Sequence, residues 1–237
     1  MAYYSRRQAL VHAAGAMASA CAPGWSWAQK AKEANYPSRP VRIVVGYAPG
    51  GAADIASRML AEWMSTHMGQ SFVVDNKPGA SGTLAANMVS KSPNDGYTLF
   101  YGAGFGITLG SGANKIEYKP EQLFSPVNLM VEVPLVLVVN PSQPVRNVQE
   151  LVTYARSKAG SLNYASYGKG TNSHLAAEAL ISQEKLKIEH VLYKGSSPAL
   201  LALRSGEVQM MFDTVASASA QIKAGALRAL AVTSGKR

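Results

Sequence analysis

From Pro40 onward the chain repeats one unit: a short β-branched run, a glycine-rich turn, and a segment with apolar residues at helical spacing. Val41-Arg42-Ile43-Val44-Val45, bounded by Pro40 and Gly46, reads as a strand. Ala48-Pro49-Gly50-Gly51 makes the turn, and Ile55, Met59, Leu60, Trp63 and Met64 give a helix over 53–68 that Gly69 ends. A strand at 72–76, a turn at 78–82, a helix at 84–89 and a strand at 97–101 follow. Residues 102–126 are less regular, and 127–139 reads as two extended pieces divided by Pro134. The unit then returns. Strands are expected at 135–139, 162–166, 188–193, 208–212 and 227–232, with helices at 148–157, 174–183 and 199–204. Alternation of this kind demands mostly parallel sheets with helices on both faces. The interruption separates two α/β domains, 36–126 and 127–225. The strand at 227–232 is expected to carry the chain back, so that 226–237 joins the first domain.

Residues 1–28 stand apart from the fold. Ser5-Arg6-Arg7-Gln8 is a basic start, 9–22 is weakly apolar and alanine-rich, and Ser26-Trp27-Ala28 offers small residues where a signal peptidase reads. The run is too short for a membrane span. The expectation is an exported protein, through a general or a twin-arginine signal, with cleavage near Ala28 favoured over lipidation at Cys21.

Composition excludes several kinds of function. Cys21 is the only cysteine, so no internal disulfide and no zinc pattern can form. His12, His67, His174 and His190 form no HxxxH pair. The net charge of +9 comes from dispersed lysines and arginines without interleaved aromatics, which argues against nucleic acid and for a solvated basic surface. Gly168-Lys169-Gly170-Thr171 has the wrong order for a phosphate-binding P-loop. Gly102-Ala103-Gly104-Phe105-Gly106 is not a dinucleotide fingerprint, and no GxSxG elbow exists. No cofactor is called for, and an enzyme on a Rossmann-like sheet lacks a nucleophile–base pair.

What remains is the placement of the turns. Each lies at the carboxyl end of a strand and opens a helix, where open α/β sheets bind ligands. The first amides of a helix have no internal partner and carry the positive end of its dipole, so several such turns facing one cleft bind an anion without any arginine. Hydroxyls adjoining the glycines, Ser81, Thr83, Thr171, Ser173, Ser196 and Ser197, either cap these helices or hold ligand oxygens. Asp54 in a first turn favours the dipole and is read as an anchor of its loop or a partner of the ligand. His174 is either a ligand contact or bonded to a neighbouring loop.

These residues resemble the Bug (TctC-like) family, the extracytoplasmic solute receptors of tripartite tricarboxylate transporters. The likeness runs through Ala48-Pro49-Gly50-Gly51-Ala52-Ala53-Asp54, Val74-Asp75-Asn76-Lys77-Pro78-Gly79, Ser92-Pro93-Asn94-Asp95-Gly96-Tyr97 and Gly170-Thr171-Asn172-Ser173-His174. It continues in Tyr193-Lys194-Gly195-Ser196 and Met211-Phe212-Asp213. The resemblance implies a two-domain periplasmic-binding-protein fold of the Venus-flytrap type, type II, and a small carboxylate in the cleft. It also implies delivery to the membrane subunits of a transporter, a monomer when full length, and no catalysis. A ligand-sensing receptor feeding a membrane kinase is the alternative on the same fold. The ligand-binding residues it implies are Tyr47, Ala48, Pro49, Gly50, Gly51 and Asp54, then Gly79 and Ser81. From the second domain come Ser166, Gly170, Thr171, Ser173, His174, Gly195, Ser196 and Asp213. Two departures carry expectations. Gly104-Phe105-Gly106-Ile107-Thr108-Leu109 replaces a small polar segment and points to a more apolar solute. Family members also continue beyond the position of Arg237. The first domain is therefore expected to be incomplete and to melt before the second.

Overall fold

The structure is a computed structural model that describes residues 36–102 and 120–235. The segment read as a signal, Cys21, and the Gly104–Leu109 departure lie outside the described residues. Within the body formed by residues 39–237, two sheets carry the described strands.

The first sheet has the order β2–β1–β3, with β1 Val41–Val45, β2 Phe72–Asn76 and β3 Thr98–Tyr101, all parallel. Helix α1, Ala52–Met68, follows β1 and ends at Gly69 in the left-handed conformation. It turns Leu60, Ala61, Met64 and Met68 onto Val41, Ile43 and Phe72. The apolar spacing of this helix therefore contains two stripes. The second one, Ile55, Met59 and Trp63, is exposed at 38%, 68% and 58%. Helix α2, Thr83–Ser90, enters from a single 3-10 turn at Ala80–Gly82, and α3 is the short Pro120–Leu123.

The second sheet has the order β6–β5–β7–β4–β8. Its strands are β4 Leu135–Val139, β5 Leu162–Ser166, β6 Ile188–Leu192, β7 Met210–Thr214 and β8 Arg228–Val232. Helices α4 Val148–Ser157, α5 Asn172–Gln183, α6 Ser196–Ser205 and α7 Val215–Lys223 connect them. All five residues of β4, Leu-Val-Leu-Val-Val, are buried. Leu137 and Val139 join one cluster with Leu151, Tyr164 and Met210, while Val136 and Val138 join another with Leu200, Leu203 and Met211. A continuous apolar strand is what a sheet covered on both faces requires. Each such side chain contributes about 1.5–3 kcal/mol of burial.

Two expectations are corrected here. The strand at 227–232 does not return to the first sheet. β8 pairs antiparallel with β4, placing Val136 opposite Val232 and Val139 opposite Arg228, and Arg228 Nη1 donates to the carbonyls of Gln143 and Val145 at 3.0 and 2.8 Å. With β8 and the antiparallel β4–β7 pair, the second sheet is mixed, whereas the first is parallel throughout. The extended piece expected at 127–133 forms no strand, and Val127 and Leu129 are 88% and 73% exposed. Among the described residues no helix is long and apolar enough to cross a membrane, and no group of three or more His, Cys, Asp or Glu is placed to hold a metal.

Candidate functional site

Helices α1, α5, α6 and α7 each follow a strand, and the N-termini of all four line one cavity. A cavity of about 300 Å³ is lined by Gly51, Ala52 and Ala53 at the start of α1, Thr171 and Asn172 at the start of α5, Ser196 from α6, and Asp213 and Thr214 from the end of β7, just before α7. The local sequence explains the capping of two of these helices. Thr171 Oγ1 accepts from the amide of His174, and Thr214 Oγ1 from that of Ser217, at 3.5 and 3.4 Å. The other two begin at Gly51 and Gly195, which have no side chain to offer as a cap. These two uncapped ends face each other: a Cβ on Gly51 would lie 3.3 Å from Ser196 Cβ. Helix N-termini without side-chain caps favour negative charge nearby.

Aromatic rings form the inner wall. Tyr47 and Tyr167 are buried and meet edge-on, with centroids 5.9 Å apart. The Tyr47 hydroxyl donates to the Ser81 carbonyl at 3.2 Å, and burial pushes its pKa up to about 12. Burial, with the nearby Asp213, also raises that of Tyr167, whose hydroxyl donates to Asn172 Oδ1 at 2.7 Å. Both are neutral phenols at physiological pH. Phe100, Leu129, Met130 and Val131 complete an apolar side.

Loops from the two sheets are tied across the site. Ala48 N–H donates to the Lys194 carbonyl at 3.0 Å, Ser197 Oγ to the Pro49 carbonyl at 2.8 Å, and Ser81 Oγ to the Lys169 carbonyl at 2.8 Å. Gly50 sits in the left-handed region at φ +84°, which turns the chain from Pro49 into α1.

Of the residues implicated from sequence, the fold brings Tyr47, Gly51, Thr171, Ser196 and Asp213 to the cavity. The others are not among its lining residues, and most have assigned structural work. Ala48 and Pro49 make the loop ties. Asp54 is buried and turned back on its own loop, accepting from Gly50 N–H at 3.0 Å and from Arg58 Nε at 3.0 Å. Burial pushes its pKa up, but Arg58, the Gly50 amide and Asn76 outweigh this and hold it below the ordinary carboxylate value. Gly79 and Ser81 line a separate, smaller space of about 170 Å³ with Tyr47 and Tyr167. Ser166 Oγ shares a 2.6 Å hydrogen bond with His190 Nε2, and Ser173 Oγ donates to the Phe212 carbonyl. His174 Nδ1 accepts from Gly170 N–H at 3.3 Å, the loop-bonded alternative of the two read for it. Gly195 packs against Ala48.

Reading the glycine turns missed Tyr167, although it stands between the singled-out Ser166 and Gly168. It also missed the apolar side at 128–133, which carries no periodic signal.

The sequence profile described as "Tripartite tricarboxylate transporter family receptor" matches residues 56–237. A UPF0065 protein of Bordetella pertussis is 36% identical over 211 residues, covering 89% of this chain and 65% of that relative. The chain thus spans just under two thirds of that relative's length. Among solved structures, an R. palustris protein with adipate is 38% identical at a TM-score of 0.81, covering 85% of this chain and 68% of that one. The periplasmic binding protein BugD is 36% identical at 0.80, with coverages of 85% and 68%. MatC from Rhodopseudomonas palustris with bound malate is 31% identical at 0.77, with coverages of 85% and 69%. On its sequence and its fold, the chain belongs to the tripartite tricarboxylate transporter receptor family, the Bug or TctC group that its glycine turns resemble.

Proposed function

We infer that the protein is a periplasmic receptor that holds a small carboxylate between the N-termini of α1 and α6. The observation that carries this is the convergence of four helix N-termini on one cavity, the two directly opposed ones lacking side-chain caps. One ligand carboxylate takes the amides around Gly51 and Ser196, where the dipoles of both helices favour negative charge. The hydrocarbon part of the ligand lies against Tyr47, Tyr167, Phe100 and Met130. A cavity of about 300 Å³ is at the small end of ligand sites. The adipate and malate in related structures support the same chemistry. Because the loops of both sheets contribute, a bound ligand bridges them and favours the closed arrangement that the three cross-loop hydrogen bonds describe.

The family is one of solute-binding receptors rather than enzymes. Delivery of the ligand to the membrane subunits of a tripartite transporter completes the reading, with export directed by the segment at 1–28. The test is mass spectrometry of the solute released on denaturing protein purified without added ligand. A stoichiometric carboxylic acid is expected. A stoichiometric solute with no carboxyl group would overturn the assignment.

A further inference from the structure

Asp213 is wholly buried at the end of β7, where the hydroxyls of Ser196 and Ser217 and the backbone amide of Thr214 hold its carboxylate. Oδ2 accepts from Ser196 Oγ at 2.6 Å and from Ser217 Oγ at 2.8 Å. Ser217 Oγ also lies 2.5 Å from Thr214 Oγ1, so a short chain of hydroxyls ends on this one oxygen. Oδ1 is buried without a hydrogen-bond partner among the described residues. Buried carboxylate oxygens are paired as a rule, and an unpaired one needs an explanation. Here the surroundings supply one. Asp213 lines the cavity together with Ser196, and Ser196 opposes Gly51 where the ligand carboxylate docks. A second anionic group beside Asp213 would be repelled, whereas a hydroxyl or ammonium hydrogen would complete its hydrogen bonding.

We propose that Asp213 selects the ligand by accepting a hydrogen bond from a hydroxyl or ammonium group on the carbon next to the bound carboxylate. The receptor then prefers 2-hydroxy and 2-amino acids to unsubstituted ones. This rests on the carboxylate reading above. A site built to pair a substrate hydroxyl discriminates strongly against the analogue without it, because the buried partner is left unpaired. The serine hydroxyls also fix how an amide would sit. In Asp213→Asn the amide oxygen accepts from Ser196 and Ser217, and the NH₂ replaces Oδ1. An acceptor becomes a donor.

The experiment is calorimetric titration of the full chain with succinate, malate and aspartate. At least one of malate and aspartate is expected to bind tenfold or more tightly than succinate. Asp213→Asn, with an unchanged melting temperature, should bring that ratio to one or below. The ratio in the unaltered protein decides the matter even if the variant does not fold. Equal affinities, a preference for succinate, or an unchanged ratio in a folded variant overturns the role of Asp213 and leaves the carboxylate site standing. Failure of all three acids to bind at millimolar concentration overturns the preference for 2-hydroxy and 2-amino acids, and the mass spectrometry of the released solute decides the carboxylate site separately.

Discussion

A Cβ placed on Gly195 would lie 2.9 Å from both the amide nitrogen and the Cβ of Ala48. The loop that opens α6 and the loop that opens α1 thus meet backbone to backbone, and Ala48 N–H donates to Lys194 O on the strength of that approach. Gly195→Ala has to push the loops apart. Overpacking of this kind costs about 1–3 kcal/mol. The cost falls on the closed arrangement, so carboxylate affinity should drop by a comparable free energy in calorimetry while amide protection in β4–β8 is retained. Unaltered affinity would show that the two loops separate without consequence for binding.

Asp54 touches its own loop and Arg58, and it is absent from the cavity lining. Asp54→Ala should lower the unfolding free energy by about 0.5–2 kcal/mol in urea, as the loss of a helix cap does. It should weaken every ligand alike. The pH dependence follows from its lowered pKa: the contribution is present above the ordinary value of 3.8 and is lost as pH falls through the lower folded value. Selective loss of amine-bearing ligands in the variant would contradict the anchoring role.

Behind the turn at 168–170, His174 and His190 lie 4.7 Å apart, and His190 stacks on Tyr164. Tyr164 donates to Glu178, whose carboxylate is 4.0 Å from His174 Nε2. Burial lowers both histidine pKa values. For His190, burial and then His174 outweigh the opposing pull of Glu178, Lys169 adds to the lowering, and the result is about 4. The unfolded chain therefore binds these protons first. Stability should fall as pH drops from 6.5 toward about 4, and a proton on His174 Nδ1 removes the acceptor of Gly170 N–H. Thermal melts across this range check it, and His190→Gln should flatten the profile. A melting temperature that rises on acidification would contradict the sign.

The two sheets differ in what covers them. The buried cluster of the first is Val41, Ile43, Ala61 and Phe72, while two larger clusters flank the second. Amides of β1–β3 should exchange with solvent before those of β4–β8 in hydrogen-exchange mass spectrometry. Equal protection would mean that the sheets unfold as one unit.

Much of this architecture was legible because strands and helices here announce themselves locally. The helix at 148–157 coincides with α4, capped by Asn147 accepting from Glu150 N–H. Helix α7 was missed because Val-Ala-Ser-Ala-Ser-Ala carries little apolar contrast, although Thr214 before it and Gly225 after it are start and stop signals. The partner of β8 was illegible for a different reason. Its residues fit an edge of either sheet, and only the β4 register and the Arg228 bonds to Gln143 and Val145 select the second. At the site, glycine turns at strand ends revealed Gly51, Thr171 and Ser196, and the family resemblance added Asp213. They could not separate these from Ser166, Ser173 and His174, which face internal partners once the sheet is formed.

The claim that two opposed helix N-termini hold a carboxylate is tested most directly at Gly51, where an added side chain projects toward Ser196 at 3.3 Å while the backbone, at φ −85°, accepts any residue. The measurement is calorimetric titration of the unaltered chain and Gly51→Val with adipate, succinate and malate. Saturable one-to-one binding of at least one acid to the unaltered chain is expected, with no detectable binding to Gly51→Val at an unchanged melting temperature. Equal affinity in the two proteins would place the carboxylate somewhere other than between α1 and α6.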